Sequence, residues 1–278
     1  MQTILALAPP LTSTLDRIAA AGEFLEVQIG PATVDGWFHG AALARPGSPE
    51  LATLLARIGQ KYATHDRTVM ASHVFGEYHW LPMAVSIGCF LTAQRVPDIS
   101  SDTVALRFNA EECWFDRIRL LTTRFVCLPS DPEADHPDAT VVPDLAALRR
   151  YLRQQVETHV AQMIETARAQ SSLGRRALWL MAADRFASTI IWLTKEFGDP
   201  ERCWTEIADL VQAAGSPLRG PSGIMTVEHE GRCEYFLDRA TCCLAYKVGD
   251  GVKCNTCPLL PIEERQQRLR DYLAAPAH

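Results

Sequence analysis

Apolar residues recur at steps of three and four along most of this chain, the spacing of one buried face of a helix. Leu51, Leu54, Leu55, Ile58 and Tyr62 form one such stripe. Ser48-Pro49-Glu50 opens it, with a serine that can accept from the first turn and a proline at a position whose N–H has no partner. A second helix is predicted over Thr68 to Thr92, interrupted at Pro82, whose ring removes a backbone donor. Leu145, Leu148, Leu152, Val156, Val160, Met163 and Ala167 predict one long amphipathic helix. Leu178, Ala182, Phe186, Ile190, Leu193 and Phe197 predict a more apolar, central one, and Gly198 suits its C-terminal turn. Asp199-Pro200 then caps a third helix carrying Cys203, Ile207, Leu210 and Val211. Three helices joined by short turns predict an antiparallel bundle. Pro261 to Leu273 predicts a short closing helix.

Two stretches change period. Val104, Leu106 and Phe108, then Trp114, Phe115, Ile118 and Leu120, flank the polar run from Asn109 to Glu112 and predict a β-hairpin. Met225 to Leu237 alternates and turns near Gly231, a second hairpin. Between the halves, Pro129 to Pro143 holds four prolines and four acidic residues and is expected to be a solvated inter-domain connection. It lacks the ligand spacing and central glycine of a calcium loop. The expected fold is α+β and predominantly helical. The expected division is an N-terminal α+β domain over 1–128, a linker over 129–143, a helical domain over 144–220, and a hairpin with a C-terminal cysteine-rich segment over 221–278.

A chain of 278 residues with 47% hydrophobic and 22% charged positions is an ordinary globular one. Net charge is −6 and no block of Lys and Arg occurs, which argues against a nucleic-acid partner. The longest apolar run in the C-terminal half, Ala177 to Ala183, ends at Asp184-Arg185, far short of the roughly 20 residues that span a bilayer. MQTILALAPPLTSTL has no basic leader region and breaks its apolar run with two prolines. The expectation is a cytoplasmic protein without a transmembrane segment, a peripheral membrane association being left open.

Four cysteines fall within sixteen residues, as Cys242-Cys243-x10-Cys254-x2-Cys257. In a chain read as cytoplasmic, such crowding points to a metal centre rather than to disulfides. A pair of adjacent cysteines, in place of a second C-x-x-C, favours a [2Fe–2S] cluster over a zinc ribbon, and no His lies between His229 and His278 to complete a mixed site. Cys254-Asn255-Thr256-Cys257-Pro258 suits a turn that aims two sulfurs at one point. Cys242 and Cys243 would point to opposite faces of a strand, so the backbone there must leave β geometry. Gly249-Asp250-Gly251 allows the reversal that brings the pairs together. A structural zinc ion stays open as an alternative, as does which cysteines share an iron. Cys233 is expected to pack in its strand rather than ligate, and Cys89, Cys113, Cys127 and Cys203 to pack as small apolar side chains. Arg239, Lys247 and Lys253 surround the cysteines, where cations would raise the potential of a negatively charged cluster.

Arg239-Ala-Thr-Cys242-Cys243-Leu-Ala-Tyr246 followed by Cys254-Asn-Thr-Cys257-Pro-Leu resembles the C-terminal signature of the FhuF family of ferric siderophore reductases. All four cysteines match in identity and spacing; Leu178-Trp179 and Ala71-Ser72 resemble the family more loosely. The resemblance implies a reductase whose [2Fe–2S] cluster, held by Cys242, Cys243, Cys254 and Cys257, passes one electron to the Fe(III) of a siderophore complex and releases Fe(II). No G-x-G-x-x-G follows a strand and no P-loop is present, so an external ferredoxin or flavoprotein reductase is expected to reload the cluster. Arg239, Tyr246 and Lys247 are expected to border the substrate groove, the first two matching the family pattern. Trp80, His79 and Trp192 are expected in the core rather than against a ligand. The rival expectations are a zinc- or cluster-stabilised siderophore-binding protein and a redox sensor, both without turnover.

Overall fold

A computed structural model describes residues 9–20, 25–32, 36–248 and 250–275. The first eight residues of the N-terminal stretch MQTILALAPPLTSTL, read as lacking a basic leader region, and Gly249 of the expected reversal lie outside them. Helix α1 (Pro10–Ala19), strands β1 (Glu26–Ile29) and β2 (Trp37–His39), and helices α2 (Gly40–Leu43) and α3 (Pro49–Lys61) lead into α4 (Arg67–Ala93). As expected, Ser48 caps α3, its hydroxyl accepting from Leu51 N at 3.1 Å. Asp66 caps α4 by accepting from Thr68 N and Val69 N. The expected interruption at Pro82 does not occur, for α4 runs unbroken through it. A proline inside a helix costs about 3 kcal/mol. Here every residue from Leu81 to Phe90 is buried, so breaking the helix would expose far more than one lost hydrogen bond. Gly88 lets α1 approach closely: a Cβ there would stand 3.1 Å from the Ile18 side chain.

Five strands follow: β3 (Val96–Pro97), β4 (Val104–Asn109), β5 (Trp114–Leu120), β6 (Phe125–Cys127) and β7 (Ala139–Val141). The predicted β4–β5 hairpin forms and is flanked by β1, parallel to β5, and β2, antiparallel to β4. The stretch from Pro129 to Pro143 is not solvated throughout, as the sequence led us to expect. Its β7 extends β6 in parallel, and its Asp131 accepts two 2.7 Å bonds from the buried Arg95 guanidinium. A buried arginine requires a counter-charge, and this acidic run supplies it.

Next come α5 (Leu145–Gln170), α6 (Arg175–Glu196) and α7 (Arg202–Glu206), the last continuing as a π-turn over Ile207–Val211. Both long helices form as their periodicity predicts. The predicted third helix forms as α7 with its π-turn, which packs on both α5 and α6; α4 packs on both as well, an addition to the expected three-helix bundle. One contiguous hydrophobic cluster therefore runs from Leu11 to Leu218. Strands β8 (Gly223–His229) and β9 (Arg232–Asp238) form the second hairpin, turning through Glu230 and Gly231, both left-handed. Helix α8 (Ile262–Ala274) covers β8, while β9 lies on α6. The α+β, predominantly helical expectation holds. Among the described residues no helix is long and apolar enough to cross a membrane. Cys89, Cys113, Cys127 and Cys203 are buried as expected, but Cys233 is exposed, on the outward side of β9 opposite Glu228.

Candidate metal centre

Past Asp238 the chain leaves the sheet and is seized by one carboxylate. Asp184, only 1% exposed on the face of α6, accepts from Ala240 N at 2.8 Å and Ser222 Oγ at 2.7 Å through Oδ1. Its Oδ2 accepts from Thr241 N and Thr241 Oγ1, both at 2.9 Å. Four donors satisfy a charge that burial would otherwise make very costly. The next tether comes from α4, where buried Ser72 donates its hydroxyl to the carbonyl of Cys243 at 2.7 Å. The loop is thus pinned to two helices of the bundle within three residues of backbone.

Between the cysteine pairs the backbone departs from β geometry, as adjacent cysteines require. Leu244 is left-handed, with φ 64°, and its N–H points at Cys242 Sγ, 3.4 Å away. A 3-10 turn over Ala245–Lys247 follows, and the chain reverses through Gly251 at φ 76°. The C-x-x-C segment is a turn in which Cys257 N donates to Cys254 O at 3.0 Å. Arg268 of α8 donates to Lys253 O at 2.9 Å, and Arg265 pairs with Asp238 at 2.6 Å, so the closing helix holds both ends of the segment.

The sulfurs of Cys242 and Cys257 lie 3.8 Å apart. Two thiolates bound at about 2.3 Å to one tetrahedral metal stand roughly 3.8 Å apart, so this pair has the separation that a shared ion demands. Arg239 Nη1 reaches within 3.9 Å of Cys254 Sγ. Burial pulls the Arg239 guanidinium down, but the nearby Cys243 sulfur and Asp184, with Cys254 and Cys242, outweigh it and raise its pKa overall. Burial pushes the Cys242 thiol up to about 11, with Cys257 adding to the rise, so ligation there expels a tightly held proton. Among the described residues no three His, Cys, Asp or Glu side chains converge on one point, so the structure brings together the sulfurs of Cys242 and Cys257 and does not gather those of Cys243 and Cys254 with them. Four thiol donors, with a backbone N–H and a guanidinium aimed at their sulfurs, fit the donor set of an iron–sulfur centre.

The four sulfurs differ in surroundings. Cys257 is buried, Cys242 and Cys243 are half-buried, and Cys254 is exposed. Cys243 alone of the four lines a cavity of about 520 Å³ between α4, α6 and the loop, together with Arg239, Arg185, Glu77 and His73. Tyr246 and Lys247, expected beside Arg239 at the groove, do not line this cavity. Lys247 pairs with Asp66 at 3.5 Å, and Tyr246 lies beneath Lys253, whose Nζ is 5.9 Å from the ring centre. His79 is fully buried, as expected of a core residue; Trp80 is half-buried, stacking on Trp192 at 5.9 Å. A larger cavity, about 670 Å³, lies along α3 and holds none of the cysteines. Sequence reasoning gave no role to Asp184 and Arg185, and touched Ser72 only through the loose family resemblance of Ala71-Ser72. The available signal for Asp184 and Arg185 was that this charged pair closes an apolar run, since charges on a buried helix face need partners.

A comparison of the chain with curated proteins finds no match. Residues 239–259 match the family described as FhuF 2Fe-2S C-terminal domain, a span that takes in all four cysteines and Arg239. Over residues 239–259 the chain is similar to that family, and the cofactor this similarity points to is a [2Fe–2S] cluster.

Proposed function

We propose that this protein reduces ferric siderophore complexes by one electron in the cytoplasm, with Cys242, Cys243, Cys254 and Cys257 as the cluster ligands. The observation that carries the reading is Cys243 opening on the 520 Å³ cavity beside Arg239, within the FhuF-type segment. The cluster, when bound, supplies single electrons at low potential. An external ferredoxin or flavoprotein provides each electron, and the ferric ion of the substrate takes it up to become ferrous. Siderophores hold Fe(III) through hard oxygen donors that suit Fe(II) poorly, so the metal leaves and the chelator stays intact. Arg239 and the Leu244 N–H stabilise the more negative, reduced charge state at the sulfurs and so raise the potential. The volume of the cavity lies within the 300–1,000 Å³ range of small-molecule sites.

Anaerobic stopped-flow mixing of dithionite-reduced holoprotein with ferric siderophores tests the proposal. The expected result is recovery of the oxidised visible spectrum with one Fe(II) appearing per cluster oxidised. No reoxidation by hydroxamate, catecholate or citrate-type complexes would overturn it. Steady turnover with NAD(P)H alone would refute the external donor.

A further inference from the structure

The cavity at Cys243 does not stand alone. A second, of about 420 Å³, is lined by Trp80, Asn109, Trp114, Phe115 and Asp116, and the two share Glu77 and Arg185 as a common wall. Trp114 is 44% exposed at the start of β5, an unusual place for so large an apolar ring. Asp116 is already engaged by Arg107 at 2.9 Å, and both Asp184 oxygens are taken. Arg185 is the exception. Among the described residues its guanidinium makes no hydrogen bond, and its one ion pair, to Glu77, is a loose 3.6 Å. Burial pulls its pKa down and Arg239 pulls the same way, against Glu77. An arginine with five donors, one distant partner, a side chain 32% exposed and a cavity on either side has donors to offer an anion in the cleft.

We infer that the two cavities form one substrate cleft for an anionic, aryl-bearing ferric complex, of which ferric tris-catecholate is the chemical type. Arg185 takes the anionic phenolate oxygens, Trp80 and Trp114 stack on the rings, and the bound metal faces Cys243. A neutral trihydroxamate offers neither charge nor rings, and ferric citrate offers charge without rings. The identity of the metal complex rests on the reductase reading; the preference for charge and rings rests on the cleft.

Gallium(III) complexes separate the two, since gallium fills the same oxygen shell without accepting an electron. Calorimetric titration of oxidised holoprotein with gallium tris-catecholate, trihydroxamate and citrate is expected to rank the catecholate tightest. Arg185→Gln should weaken it about 10-fold or more, the scale of a lost charge-assisted hydrogen bond. Trp114→Ala should weaken it several-fold with the cluster absorbance unchanged. Glu77→Gln should tighten it by freeing Arg185, which a merely structural ion pair would not do. Equal or tighter binding of trihydroxamate or citrate would overturn the assignment. So would a catecholate affinity indifferent to all three substitutions. Tight gallium catecholate binding without reoxidation by the ferric complex would sustain the cleft and sink the reductase.

Discussion

Asp184→Asn is the sharpest test of how the cysteine loop is held. The carboxylate accepts from Ser222 Oγ, Ala240 N, Thr241 N and Thr241 Oγ1, and lies 3.9 Å from Arg239 Nε. An amide of the same shape keeps one acceptor oxygen and turns the other position into a donor that faces donors. At least one backbone N–H then loses its partner inside the protein, and the charge that strengthened every contact disappears. Hydrogen bonds to charged groups contribute about 1.5–3 kcal/mol each, and breaking a buried charged network costs about 3–5 kcal/mol. A penalty on the order of 4 kcal/mol, confined to residues 239–241 at the entrance of the loop, would raise the population of an open loop roughly 10³-fold. The measurement is loss of visible absorbance in excess ferrous chelator under argon, with iron and acid-labile sulfide counted per chain. Chelator-driven loss should accelerate by two orders of magnitude or more, while far-UV circular dichroism keeps its helical signal because α6 stays packed on α4 and α5. Ser222→Ala, which removes one donor and leaves the loop's own bonds intact, should have a much smaller effect. Unchanged loss rates in Asp184→Asn would show that the four contacts do not hold the loop.

Replacing any one of Cys242, Cys243, Cys254 and Cys257 with Ser is expected to strip the purified protein of iron and labile sulfide; full retention in one variant would remove that residue from the ligand set. His79 and His159 are fully buried, their rings packed edge to face with centres 5.5 Å apart. Burial pushes His159 down to about 4 and His79 well below its usual value, both neutral when folded. Unfolding therefore takes up protons below the ordinary histidine pKa near 6.5, and stability present above that pH is lost as pH falls towards 4. The slope should approach ~1.4 kcal/mol per pH unit per histidine in urea denaturation. His159→Leu should flatten this dependence, and an unaltered slope would refute the assignment. Asp131→Asn breaks the bidentate grip on buried Arg95 and should cost about 3–5 kcal/mol. It should also speed proteolysis between Pro129 and Pro143, and equal cleavage of the two proteins would count against the tether.

Much of this architecture is legible because helices and hairpins announce themselves locally. The stripes ending at Ala167 and Phe197, the cap at Ser48 and the turn at Gly231 each depend on neighbours a few residues away. The four cysteines are legible for another reason: so many thiols at fixed spacing have few other uses. What escaped is long-range. Asp184 reaches residues 56 and 57 positions on, and Ser72 reaches Cys243 across 171 positions. Nothing local separates such an acid from a solvated one. Pro82 misled because its local penalty is real but small beside the surface that α4 buries. The run from Pro129 to Pro143 misled because acidic, proline-rich composition reads as solvated, when one of its aspartates answers a buried arginine. Cys233 misled because strand alternation tells that two faces exist without telling which one the core takes.

One sulfur of the tail borders the internal cavity, while another, that of Cys254, stands in the open. Traffic through such a centre can enter on one side and leave on the other. A donor docked outside would not have to vacate before a chelate lodged within, so both could be resident during a single turnover. On the proposed reductase reading, a gallium chelate, which takes no electron, should not compete with the donor, whereas competition between them would mean that the two visitors take turns at a common door.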